Sequence, residues 1–153
     1  MKLASRVSLI KTSPTLVITT KAAALRAEGR DVIDFGVGEP DFNTPDFIKA
    51  AAIRAIESNF TRYTAVGGID ELKDAIIQKL QRDNSLSYKR SEIMVSCGAK
   101  HTLFNLAQVL FEAGDEVIIP GPYWVSYPDI ILLTGASPVI VETSEEHGFK
   151  LTP

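Results

Sequence analysis

Apolar and polar residues alternate along this chain in two periods, and the change of period marks out its elements. Pro14 to Glu28 is Ala-rich and helical in spacing; Ser13 stands at its N-cap, Pro14 opens it and Gly29 stops it. Asp31-Val32-Ile33-Asp34-Phe35 alternates and predicts a short strand, followed by the turn Gly36-Val37-Gly38-Glu39-Pro40-Asp41-Phe42. A second helix begins at Pro45, capped by Thr44, with Asp46 near its positive end. Its apolar positions Ile48, Ala52, Ala55 and Ile56 predict a core face. A third runs from Ile69 to Arg82, with Ile69, Leu72, Ile76 and Leu80 inward.

From Glu92 to Trp124 the pattern reads without interruption as strand, glycine turn, helix, strand and aromatic turn. Ile93-Met94-Val95 is the first strand, and Ser96-Cys97-Gly98-Ala99-Lys100 offers small side chains and backbone N–H groups where a helix begins. Leu103, Phe104, Leu106, Ala107, Leu110 and Phe111 form a buried stripe on that helix, and Ala113-Gly114-Asp115 ends it. Glu116 to Ile119 is the second strand. A crossover of this length predicts parallel strands, so both turns are expected on one edge of the sheet, the edge where open α/β sheets bind ligands. Val125 to Leu133 is a further short helix that tolerates Pro128 in its first turn, and Pro138 to Glu142 is another strand. Residues up to Ile10 have no period and read as an arm.

The chemistry open to these residues is limited. Gly98, Ala99 and Lys100 suit a phosphate at a helix N-terminus, although a lysine in a first helical turn is commonplace. Trp124, at the end of the second strand, is either a ring-stacking residue or a large core aromatic. Tyr63 lies in a loop where a half-exposed packed ring is the ordinary outcome, and Lys11 is as readily a solvated lysine. Gly36 and Gly38 either make a turn or allow a ligand to approach. Cys97 reads as a small buried filler with His101 as a weak partner, and His147 sits in a polar run. No Cys/His spacing resembles a metal site, and no Walker-type loop or repeat is present.

Composition narrows the class further. The 153 residues are 45% hydrophobic and 23% charged, enough for one α/β domain with a core. A net charge of −3 without a basic cluster argues against a nucleic-acid surface. The single cysteine excludes an internal disulfide and fits a reducing cytoplasm. No run has the length of a membrane span or of a signal core.

The strings GEPDF, the Tyr63-containing loop ending in Gly67-Gly68, SCGAKHTLFNL and GDEVIIPGPYWVSYP, in this order, resemble the N-terminal part of the class I, fold-type I aminotransferases that use pyridoxal 5′-phosphate, nearest to the bacterial aspartate subgroup. The resemblance covers essentially the whole chain. It implies an α/β fold: an N-terminal arm and small-domain segment over residues 1–44, then an incomplete cofactor-binding large domain, three-layered α/β/α, over 45–153. It implies cofactor contacts from Gly98, Ala99, Lys100 and Trp124, and from Tyr63 toward the neighbouring subunit of a homodimer. It also implies substrate contacts from Gly38, Trp124 and Lys11, with an amino acid and a 2-oxo acid as substrates.

Family chains are more than twice as long, so this one reads as a fragment or truncated product. The family's Schiff-base lysine, pyridinium partner and carboxylate-binding arginine would follow Pro153, and no residue here takes a catalytic role. The resemblance also places later strands between the first two strands of this stretch, which predicts open sheet edges and a poorly soluble or self-associating polypeptide. A non-catalytic α/β module that binds phosphate or dimerises is the alternative reading.

Overall fold

A computed structural model describes residues 2–152 and divides the chain into two units, Met1–Gly38 with Leu103–Pro153, and Glu39–Thr102. In the first unit the helix α1, Pro14–Ala27, ends where Gly29 takes a left-handed conformation. Ser13 does not cap it through its side chain; its backbone carbonyl accepts the Val17 N–H instead. The expected strand at 31–35 is not formed. Among the described residues no strand pairs with it, and its polar groups close a local turn: the Asp34 carboxylate accepts the Gly36 N–H at 2.8 Å and meets Arg26 at 3.4 Å.

The sheet of this unit has two parallel strands, β1 (Glu116–Gly121) and β2 (Ser137–Glu142), with Ile119 opposite Ile140. The helix joining them, Ser126–Leu132, carries Pro128 in its first turn, where a missing N–H costs nothing. Its Ile130 and Ile131 are buried with Ile119, Ala107 and Ala136, and Phe111 and Val117 pack against that cluster. Val and Ile favour the strands because a β-branched side chain fits the pleat, and the joining helix supplies the length that a parallel connection requires. The N-terminal residues are not a bare arm: Ser5–Leu9 forms a 3-10 turn packed against the same helix.

The helix Ala99–Leu110 begins in the second unit and continues into the first. Of its expected buried stripe only Ala107 is enclosed; Leu103, Phe104, Leu106 and Leu110 remain exposed. With β1, Leu103, Leu106 and Leu110 border an apolar groove of about 390 Å³.

In the second unit α2 is Asp46–Glu57 and α3 is Asp70–Asn84. Helix α2 starts one residue later than expected, so Pro45, whose side chain has no acceptor, stands at the cap and Thr44 does not. The predicted core faces are present as stripes but not as cores: neither helix buries a residue, and Ile48 and Ile56 are 47% and 65% exposed. The first strand of the central unit is also unrealised as a ladder. Residues 93–96 are in no helix or strand, and the parallel pairing joins β1 to β2 instead. A strand is defined by its neighbour, and among the described residues this segment has none. The exposed apolar faces have the same cause. The accessible surface of 12846 Å² compares with about 7,600 Å² for a folded monomer of 16.7 kDa.

Candidate phosphate-binding turn and associated residues

The glycine turn is built by three local bonds. The Gly98 N–H donates to the Ser96 carbonyl at 2.8 Å, the Cys97 N–H to His101 Nδ1 at 3.2 Å, and the Thr102 N–H to the Gly98 carbonyl at 3.3 Å. Gly98 has φ +85°, and beyond its own chain neighbours no atom lies within 4 Å of the position a Cβ would take. The helix that follows begins at Ala99, and the first turn of a helix is its positive end. The Gly98 N–H is turned back on Ser96. Gly98 contributes conformation and space.

Two anchors hold the segment that leads into this turn. The Val95 N–H donates to the Gly67 carbonyl at 3.0 Å. Upstream, Arg90 grips α3: Nε meets Asp74 at 2.6 Å, Nη1 meets Asp70 at 2.8 Å, and Nη2 completes a two-pronged pair with Asp74. That hydrogen-bonded guanidinium holds the Asp74 carboxyl below its ordinary range, more than the slight loss of hydration raises it, and the two carboxylates hold Arg90 more firmly protonated. Asp70 and Asp74 stand four residues apart on one helix face, a spacing visible in the sequence. Their partner, sixteen and twenty residues on, is not.

The remaining candidates divide between the two units. Tyr63 belongs with the Gly98 turn in Glu39–Thr102 and is fully exposed in the loop before Gly67. Trp124, Gly38 and Lys11 belong to the other unit. Trp124 follows β1 after the cis Gly121–Pro122 peptide, is 40% exposed, and meets Tyr127 edge to face at 5.6 Å. It is thus not the enclosed core aromatic of its alternative reading. Gly36 would bring a Cβ to 2.8 Å from an Ile18 methyl, so the fold itself requires a glycine there. Gly38 has no neighbour within 4 Å and no left-handed φ. Lys11 is exposed between the Ser5–Leu9 turn and α1.

Cys97 departs from expectation, because it is exposed and not a buried filler. His101 accepts the Cys97 backbone N–H, so that contact gives the thiol no general base. His147 is exposed in the 3-10 turn Glu145–His147.

Within the second unit, a helix start beside a glycine without a crowding neighbour suits a phosphate group; within the first, Trp124 offers a half-exposed indole that suits an aromatic ring.

A profile of the family described as Aminotransferase class I and II matches residues 30–153. An aspartate/prephenate aminotransferase of Nitrosomonas europaea is 56% identical over all 153 residues, which cover 38% of that protein. The aspartate aminotransferase of Bacillus subtilis is 54% identical over the whole chain, covering 39% of its length. Among solved structures, the aspartate aminotransferase of Rhizobium meliloti is similar at a TM-score of 0.92 and 48% identity, over 99% of this chain and 38% of that one. The Thermus thermophilus aspartate aminotransferase with maleate follows at 0.93 and 43%, over 99% and 40%. The chain thus spans about two fifths of the length of these relatives, and its fold is a partial α/β fold of the fold-type I kind.

Proposed function

The chain belongs to the class I and II aminotransferases, and on that premise we propose that it forms the first part of a pyridoxal-phosphate-dependent L-aspartate:2-oxoglutarate aminotransferase that also accepts prephenate. The supporting observation is Gly98: a left-handed glycine with no atom crowding its Cβ position, heading a helix in the string SCGAKHTLFNL. Bound there, the cofactor supplies an electron sink for the substrate α-carbon. The chain's own residues bind and orient. Ala99 and Lys100 hold the phosphate through their amides, the Lys100 side chain adds positive charge, and the Trp124 indole lies over the pyridine ring and excludes water from one face. Gly38 presents its N–H to a substrate carboxylate; this reading explains a glycine that neither φ nor packing demands. Lys11 takes part in dicarboxylate selection.

Tyr63 donates its hydroxyl to the phosphate held by a second copy of the chain, so the active unit is a homodimer, in the cytoplasm. Its full exposure suits a role toward a partner. Residues 1–44 serve as arm and small-domain segment, and 45–153 as part of the large domain. No lysine of this chain forms the Schiff base, so the 153 residues by themselves turn nothing over.

The test uses 4-deoxypyridoxine 5′-phosphate, which has no aldehyde and cannot react with surface lysines. It should quench the fluorescence of Trp124, the single tryptophan, saturably and in competition with inorganic phosphate. With pyridoxal phosphate, aspartate and 2-oxoglutarate the chain should form no oxaloacetate. Quenching that never saturates, or that phosphate does not relieve, overturns the cofactor assignment; turnover by this chain alone overturns its incompleteness.

A further inference from the structure

The segment before the Gly98 turn belongs to no strand ladder among the described residues, yet it has to deliver that turn in one place. An extended segment without a ladder is free to slip, and a slip of one residue reverses every side chain. One crossing opposes this. A Cβ on Gly68 would stand 2.6 Å from Val95 Cγ2 and 2.9 Å from Val95 Cβ, so the backbone at Gly68 lies against the Val95 side chain with no room to spare. On the same stretch the Gly67 carbonyl accepts the Val95 N–H at 3.0 Å. The Gly68 N–H donates to the Ala65 carbonyl at 3.0 Å, which makes the glycine pair a closed turn and not a loose loop. Val95 is therefore held by side chain and backbone together, three residues before Gly98.

We propose that the Gly67-Gly68 turn is a latch on Val95 that positions the Gly98 turn for phosphate, with Gly68 and Val95 as positioning residues. The proposal rests on the reading of that turn as the phosphate site. Only Ser96 and Cys97 separate the latch from Gly98, and the Gly98 N–H is tied back to Ser96, so slack at Val95 passes directly into the turn. Arg90, fixed on α3 by Asp70 and Asp74, limits movement from the upstream side. Neither latch residue touches the phosphate. Their effect is on where Ala99 and Lys100 point.

Hydrogen exchange followed by mass spectrometry on the whole chain tests this, comparing wild type with Gly68→Ala and Val95→Ala, each with and without inorganic phosphate. Val95→Ala removes the contact without touching the glycine, whose φ of +99° would itself strain an alanine, and carries the test if Gly68→Ala fails to fold. Both variants should exchange the position-95 amide at least tenfold faster, while α3 amides change little. The phosphate concentration that half-protects the amides at 99–101 should rise at least tenfold.

A general loss of protection across α3 would mark an ordinary stability effect and overturn the latch. So would an unchanged phosphate requirement in both variants. A wild type whose amides at 99–101 gain no protection from phosphate overturns the site reading itself, and that result is distinct because it appears before any substitution is made.

Discussion

Gly98 and Gly29 form a matched pair that separates the fold's need for a glycine from the ligand's. Their φ values are +85° and +80°, and neither would bring a Cβ within 4 Å of an atom beyond its own chain neighbours. Gly29 ends α1, where its N–H donates to the Arg26 carbonyl. Alanine at either site meets no clash and bears only the left-handed backbone cost, about 1–2 kcal/mol. Asparagine tolerates that conformation better, so Gly98→Asn should lose less stability than Gly98→Ala. Its larger side chain, however, extends beside the first-turn amides of the following helix.

The rank orders should therefore cross. Stability, from urea unfolding followed by far-UV circular dichroism, should fall from wild type through Gly98→Asn to Gly98→Ala. Affinity for deoxypyridoxine phosphate should fall from wild type through Gly98→Ala to Gly98→Asn, the last by at least about tenfold, or 1.4 kcal/mol. Gly29→Ala should lose as much stability as Gly98→Ala and keep its affinity. An affinity that follows stability through the Gly98 series, or a Gly98→Asn variant that binds like wild type, would refute the claim that space at Gly98 serves a ligand.

With about 5,000 Å² more surface than a folded monomer of its mass exposes, the isolated chain should self-associate; sedimentation velocity over a range of concentrations reads this, and a monodisperse monomer with one cooperative melt contradicts it. Because Arg90 lowers the Asp74 carboxyl in the folded chain, the stability lost in Asp74→Asn should be fully present above the ordinary value of 3.8 and should vanish as pH falls through the depressed one. Urea midpoints followed downward from neutral pH decide it: the gap should narrow as pH falls below 3.8, and a gap that widens in acid would be the wrong sign. Ile119→Ala, at a position 5% exposed in the small cluster under β1, should cost about 2–3 kcal/mol in unfolding monitored at Trp124; the adjoining groove lets the site relax and keeps the figure at the low end. A loss below about 1 kcal/mol would mean that β1 does not organise that core.

What was legible in the sequence is what neighbouring residues settle among themselves. The glycine that stops α1, the proline tolerated in the first turn of Ser126–Leu132, both paired strands and the glycine heading the helix at Ala99 were all readable at short range. The two caps failed at the same range for different reasons. Ser13 used its carbonyl, and at α2 the helix began one residue late and left Pro45 in the capping place.

The larger misses were not local. Periodicity marks an apolar stripe on α2 with Ile48 and Ile56, but a stripe says which side would be covered and never that anything covers it, and both side chains are exposed. The same holds for residues 93–96: an apolar run is competent to be a strand, and only a partner makes it one. The candidate site divides along this line. Its chemistry is local, in a glycine and two helix amides that a reader of the string can find. Its placement depends on contacts between residues distant in sequence, Gly68 against Val95 and Arg90 against Asp70 and Asp74. A substitution that spares every residue of SCGAKHTLFNL can therefore still misplace the turn, and the difference between these two kinds of residue is the difference between a weakened contact and a contact aimed at the wrong point.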